Sequence, residues 1–183
     1  VYYKQSGKHL EEFDELEKSH IRKYLANFSI FYSFSDTIGI DQLFPVMPIT
    51  RLDERTCENG VIMDLTCDSD GCLDRFVDKR DVKHSLHLHP LKNREPYYIA
   101  FFLVGAYQEA LGNNHNLFGA VNELIVNFDS TGQIQILDQV KGEDCGEILR
   151  IMNYRDEDII AGYETQLKHS LASKRISVQE YDL

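Results

Sequence analysis

Between residues 8 and 25 the apolar positions Leu10, Phe13, Leu16, Ile21, Tyr24 and Leu25 fall roughly on one helical face, with Glu and Lys opposite. That spacing predicts a helix. From Asn27 the period shortens. Phe28, Ile30, Tyr32 and Phe34 alternate with Asn27, Ser29 and Ser33, a strand pattern. Phe31 interrupts the polar row, so this strand is expected to be covered on both sides. Asp41 to Ile49 carries Pro45 and Pro48, which cannot donate to a central ladder, so an edge strand or extended loop is predicted.

Val61 to Thr66 reads as a buried strand, Cys67 to Gly71 as a turn, Leu73 to Val77 as a strand, and Lys83 to His89 as an alternating segment. Tyr97 to Val104 is a long apolar run ending at Gly105, expected as a central strand. Glu123 to Phe128 and Gln133 to Val140 flank the turn Asp129-Ser130-Thr131-Gly132 and predict a β-hairpin. The pattern then turns helical over Gly142 to Asn153 and Asp156 to Ser173. The second helix has Ile159, Ile160, Tyr163, Leu167 and Leu171 at helical spacing, and Asp156, Glu157 and Asp158 at its positive end.

These elements add up to an α+β chain. Residues 1–25 form the end of a helical segment, 26–141 a mainly antiparallel β-barrel or sandwich domain, and 142–183 a helical extension. No internal repeat or low-complexity stretch interrupts them. The 183 residues suffice for one good-sized domain, or a small one with attachments, and 43% of them are apolar. The formal charge of −11, from 30 acids and 19 bases, makes nucleic acid or an anionic membrane a poor partner. An acidic surface suits a cationic substrate, and equally suits plain solubility. No apolar run approaches the roughly 20 residues of a membrane span, and no signal peptide is expected. The chain opens at Val1 in a helix-like polar stretch, which reads as a fragment cut on its N-terminal side. Cys57, Cys67, Cys72 and Cys145 show no paired spacing, so reduced thiols in a cytoplasmic setting are expected.

Three groups of residues could carry chemistry. In Asp64-Leu65-Thr66-Cys67-Asp68-Ser69-Asp70-Gly71 a calcium loop fails, because its first and twelfth ligands would be Thr66 and Val77. The bland reading is an Asp/Gly turn between strands. The functional one puts a thiol beside a carboxylate: Cys67 as a proton donor, Asp68 as the partner of a cationic substrate end. His87 and His89 would share a strand face, with His84 nearby, but no Cys or acid follows at a useful metal-binding spacing. A solvated or edge-strand histidine group reads better, and no metal site is expected. Gly105-Ala106-Tyr107 ends the apolar run. Its hydroxyl suits a phosphate oxygen as well as it suits a core tyrosine with its tip at the surface. The polar run Gly112-Asn113-Asn114-His115-Asn116 is either a tightly bonded turn or part of a site.

Several segments together resemble the biosynthetic arginine decarboxylases, members of the alanine-racemase-like (fold type III) pyridoxal-phosphate decarboxylases. They are Asn27-Phe28-Ser29 with Phe31, Asp36, Ile40 through Pro48, Asp64 through Gly71, Phe102 through Glu109, and Leu111-Gly112 with His115 through Gly119. The words Asp41-Gln42-Leu43-Phe44-Pro45 and His115-Asn116-Leu117-Phe118-Gly119 belong to the arginine branch. Cys67-Asp68 and Gly105-Ala106-Tyr107 are shared more widely. The likeness covers roughly residues 25 to 120; residues 74–96 and 120–183 match in character alone.

The resemblance implies an N-terminal (β/α)8 barrel carrying pyridoxal phosphate on a lysine outside this chain, a C-terminal β domain, and active sites at the interface of a homodimer or larger homo-oligomer. It leaves room for Mg2+ in the complete enzyme. Carried over, Cys67 returns a proton to Cα after CO2 leaves L-arginine, Asp68 holds the guanidinium with Asp41 as a second partner, and Tyr107 binds the cofactor phosphate. Asp70 and His115 stand behind them. No barrel strand, cofactor lysine or glycine-rich phosphate loop is found here, so the chain alone is expected to be inactive. Two alternatives stand beside this reading: another basic amino-acid decarboxylase of the same fold, acting on lysine, ornithine or a carboxylated polyamine, and a non-catalytic β module that binds a partner.

Overall fold

The computed structural model describes residues 20–79, 81–105 and 107–181. The polypeptide divides into two units, Val1–Phe118 and Gly119–Leu183. In the first, the apolar run after Cys57 becomes strand β3 (Glu58–Met63), the centre of a four-stranded sheet. Gly60, Val61 and Ile62 are all buried, so both faces of β3 are covered. β1 (Arg22–Leu25) runs parallel to it, with Tyr24 opposite Ile62. The predicted helix therefore does not reach Leu25; its earlier part, up to residue 19, lies outside the described residues. The helical spacing failed at its end because Tyr24 is drawn into the sheet. There it is buried, and its hydroxyl donates to the His89 carbonyl at 3.0 Å. Gly60 allows this approach: a Cβ there would sit 2.6 Å from the Tyr24 ring.

Along the other edge of β3 lie two short antiparallel partners, β4 (Cys72–Leu73) and β7 (Leu86–Leu88). Between them, β5 (Phe76–Val77) and β6 (Val82–Lys83) form a two-stranded sheet. β2 (Val46–Pro48) pairs with β8 (Ile99–Phe101) in another. The proline-bearing segment is thus an edge strand, as its composition requires. The long run Tyr97 to Val104 is not a central strand. Among the described residues only three pair, with β2, and Leu103 turns out of the ladder at φ 60°. Mixed α+β structure is what the chain has, but among the described residues the small sheets do not close into a barrel.

The largest departure lies at residues 27–40. In place of a strand, Ile30–Ser33 forms α1 and Ser35–Ile40 forms α2. Ile30 and Phe34, four residues apart, are the pair that turns inward. They join Tyr24, Ile62, Leu73, Phe76, Leu86 and Leu88 in the core. Phe34 packs between Phe28, Phe44 and Phe101 with ring centroids 5.3, 5.7 and 4.6 Å away. Two further short helical elements follow, α3 (Tyr107–Leu111) and a single 3-10 turn (His115–Leu117).

The histidines separate. His87 points out from β7, but His89 is 2% exposed, contrary to the expectation of a solvated group. Its Nδ1 lies 2.9 Å from the Tyr97 hydroxyl, its Nε2 lies 3.1 Å from the Glu54 carbonyl, and its backbone N–H donates to the same hydroxyl at 2.9 Å. Both ring nitrogens are thus taken up by structure. Tyr97→Phe leaves a buried peptide N–H without an acceptor, and the expected loss is about 1 to 2 kcal/mol. The urea midpoint of the full-length polypeptide measures it, and an unchanged midpoint contradicts it.

In the second unit, β9 (Glu123–Phe128) and β10 (Ile134–Val140) form the predicted hairpin, with a bulge at Leu137. Asp129 Oδ1 accepts from the Thr131 hydroxyl and from the N–H groups of Thr131 and Gln133. These bonds, the hydroxyl's first, hold the carboxyl below its ordinary range. Gly132 takes φ 81°, which favours glycine. α4 (Cys145–Ile151) opens on a capping box between Asp144 and Glu147; α5 (Asp156–Ala172) and α6 (Val178–Tyr181) follow. Among the described residues, no helix is long and apolar enough to cross a membrane.

Candidate functional site

The turn between β3 and β4 carries Cys67 and Asp68, and Asp64 builds it. This carboxylate is 3% exposed. Its Oδ1 accepts from the Thr66 N–H at 2.8 Å and the Thr66 hydroxyl at 2.7 Å; its Oδ2 accepts from the Ile30 N–H at 2.8 Å. One side chain therefore closes the turn and ties it to the start of α1. Asp64 N–H donates to the Gly71 carbonyl at 2.9 Å, and Gly71 N–H to the Asp68 carbonyl at 3.1 Å. A Cβ on Gly71 would run into Asp64 Oδ1, so glycine is needed there for space.

Held in this way, Cys67 is exposed and Asp68 half-buried beside it. Asp68 Oδ1 accepts the Asp70 N–H at 3.1 Å. Asp68 Oδ2 lies 3.7 Å from His115 Nε2, an atom that is buried and has no hydrogen-bond partner. The His115 ring is stacked on Phe31, centroids 4.1 Å apart. The next residue, Asn116, accepts the Cys67 N–H on its Oδ1 at 2.9 Å. The dipeptide His115-Asn116 thus faces the dipeptide Cys67-Asp68. Asn116 lies in the polar run that the sequence marks as a tight turn or part of a site, but no individual role falls to it there. A signal was present, since asparagine tolerates the left-handed backbone it adopts, φ 53°, and the run around it is rich in such residues.

Asp41 and Asp70 meet elsewhere. They line a cleft of about 380 Å³ together with Cys72, Asp74 and Arg75. Asp41 ends α2 in the left-handed conformation, φ 57°, and its carboxylate is paired to Arg75 at 2.9 Å. It already has a guanidinium partner within the chain. The Cys72 thiol is pushed up by burial and then by the charge of Asp74, so at neutral pH less of it is thiolate than of an unperturbed cysteine. All four cysteines are free, and Cys57, Cys67 and Cys145 are exposed.

Tyr107 belongs to neither group. It opens α3 and is 75% exposed. The next residue, Gln108, is buried and fixes the helix: its Nε2 donates to Asp36 Oδ2 at 2.6 Å, and its Oε1 accepts the Asp36 N–H at 3.1 Å. A Cβ at Gly105 would meet nothing within 4 Å. An exposed phenol beside open space fits a phosphate group brought from outside the chain. Among the described residues, no group of three or more His, Cys, Asp or Glu side chains could hold a metal ion.

The comparisons with known proteins point one way. The chain is 46% identical over 170 residues to the biosynthetic arginine decarboxylase of Nostoc sp., covering 93% of this chain and 25% of that protein. It is 46% identical over 171 residues to that of Phocaeicola vulgatus, covering 93% and 27%. Among solved structures, the biosynthetic arginine decarboxylase of Campylobacter jejuni superposes with a TM-score of 0.74 at 34% identity, over 87% of this chain and 26% of that one. No family model matches the chain. The chain is thus homologous over nearly its whole length to biosynthetic arginine decarboxylases, and spans about a quarter of the length of the curated relatives it matches.

Proposed function

We propose that this chain is the C-terminal part of a pyridoxal-phosphate-dependent arginine decarboxylase, which converts L-arginine to agmatine and CO2 on the route to polyamines. The observation that carries this reading is homology to arginine decarboxylases along 93% of the chain. It includes the built turn that presents a thiol and a carboxylate side by side. In this reading the small sheets of the first unit are the strands of a β domain. An N-terminal barrel, outside these residues, brings the cofactor lysine. Tyr107 donates its hydroxyl to the cofactor phosphate, and Asp68 pairs with the guanidinium of arginine.

When bound, pyridoxal phosphate supplies the electron sink that lets the carbon–carboxylate bond break. One proton must then reach Cα. Cys67 delivers it from its S–H, and solvent restores the thiol. Cys67 and Asp68 lie on an outward-facing turn, as expected of groups that complete a site formed with another subunit. Asp70 bonds Asp68 through its N–H, and His115 stands behind the carboxylate, so both shape the pair without touching the reacting atoms. Asp41 reaches substrate only if Arg75 releases it. A cytoplasmic homo-oligomer completes the proposal.

The test is a substrate panel on the full-length polypeptide that carries these residues. Arginine is expected to be decarboxylated at least about tenfold more efficiently, in kcat/KM, than lysine, ornithine or a carboxylated polyamine. A preference for any of these overturns the arginine assignment and leaves the fold family intact. No decarboxylation of any basic amino acid favours a partner-binding module.

A further inference from the structure

Resting on that reading, we propose that Asn116 is a positioning residue for the Cys67 thiol. Its side chain reaches across from the turn after α3 and holds the one peptide group that aims Cys67. The turn's own bonds leave that group out. Asp64 takes up Thr66, Asp68 takes up Asp70 and Gly71, and Cys67 N–H goes to Asn116 Oδ1 at 2.9 Å. The acceptor is itself firmly placed. Asn113 N–H donates to the Phe31 carbonyl at 3.2 Å, His115 N–H to Asn113 Oδ1 at 3.0 Å, and Leu117 N–H to the Asn114 carbonyl at 2.8 Å. The His115 ring lies flat on Phe31. Asn116 and Leu117 then both take left-handed φ, 53° and 64°. Two consecutive non-glycine residues there are uncommon, and the strain is borne where the chain must turn Asn116 Oδ1 toward Cys67.

Both turns rest on α1, the first through Asp64 and the Ile30 N–H, the second through Phe31. A proton donor has to be aimed at one face of one carbon, and a displacement near 1 Å is enough to cost orders of magnitude in rate. The Asn116 contact acts on the aim of Cys67, not on the anchoring of the guanidinium. Loss should therefore fall on kcat rather than on KM.

The experiment uses full-length enzyme and three substitutions. Asn116→Gly keeps the left-handed turn and removes the acceptor. Asn116→Asp keeps both. Cys67→Ala serves as the reference. Expected are a kcat for arginine at least about tenfold lower in Asn116→Gly with KM within about threefold, and recovery to within about threefold of wild type in Asn116→Asp. A second readout is the rate of iodoacetamide alkylation at Cys67, mapped by peptide mass with exposed Cys57 and Cys145 as internal standards. It should rise severalfold in Asn116→Gly at Cys67 alone. If Cys67→Ala lowers activity while Asn116→Gly changes neither kcat nor the Cys67 alkylation rate, the positioning role is wrong. If Cys67→Ala itself leaves activity intact, the decarboxylase roles assigned to this turn are wrong instead.

Discussion

Asp68→Ala in the full-length polypeptide is expected to lower kcat/KM for arginine by about a hundredfold or more. A guanidinium presents parallel N–H donors that match the two oxygens of a carboxylate, and removing one partner leaves the other without its counter-charge. A hundredfold corresponds to about 2.7 kcal/mol, at the low end for truncating one partner of a desolvated charge pair. The geometry leaves room for such a pair. Asp68 Oδ1 spends one lone pair on the Asp70 N–H, and Oδ2 sits 3.7 Å from the nearest ring nitrogen, beyond hydrogen-bond distance. Asp68→Asn separates charge from architecture: its oxygen can still accept the Asp70 N–H, so the turn survives while the charge is gone. Most of the loss should therefore persist in Asp68→Asn and appear largely in KM. Cys67→Ala, by contrast, should lower kcat with KM little changed. Steady-state kinetics with arginine, and agmatine as a competitive inhibitor, separate the two. Activity of Asp68→Ala within about threefold of wild type removes Asp68 from the substrate site.

Much of this site is readable from local sequence because turn chemistry is local. Asp64 through Gly71 is an acid-rich turn ending in glycine, the hairpin around Asp129 is another, and α5 begins on three acids; each appears close to where the pattern places it. The failures are tertiary. Residues 28–34 alternate like a strand, but the donor at Ile30 meets a carboxylate 34 residues away, and the segment coils so that Ile30 and Phe34 share one inward face. The run Tyr97 to Val104 is apolar enough for a central strand. Among the described residues it pairs along three residues only, with β2, and its end leaves the ladder where Leu103 takes φ 60°. His89 has the composition of a surface histidine and is instead locked between Tyr97 and the Glu54 carbonyl. Asp41 carries the charge expected of a guanidinium partner, and the guanidinium it meets is that of Arg75. No periodicity could reveal that pairing.

Asp64→Ala is expected to destabilise the first unit by about 3 kcal/mol or more. Three donors converge on this carboxylate, and hydrogen bonds to a charged acceptor contribute about 1.5 to 3 kcal/mol each when buried. The effects do not simply add, because Thr66 is part-buried and water can replace some of what it loses. The Ile30 N–H is buried and cannot be rescued in that way. Asp64→Asn should cost roughly half as much. Its single carbonyl oxygen can take the Ile30 N–H, and its amide can donate to the Thr66 hydroxyl, which turns round to accept. The Thr66 N–H is then left facing a donor. The order wild type, Asn, Ala in denaturation midpoint of the full-length polypeptide checks the argument. So does faster proteolysis between residues 64 and 71 in the alanine variant. Equal midpoints for all three would mean that the turn is held by its backbone alone. A lowered midpoint in Asp64→Ala would instead join the two roles of this motif, since the thiol and carboxylate it presents keep their place while Asp64 ties the turn to the start of α1.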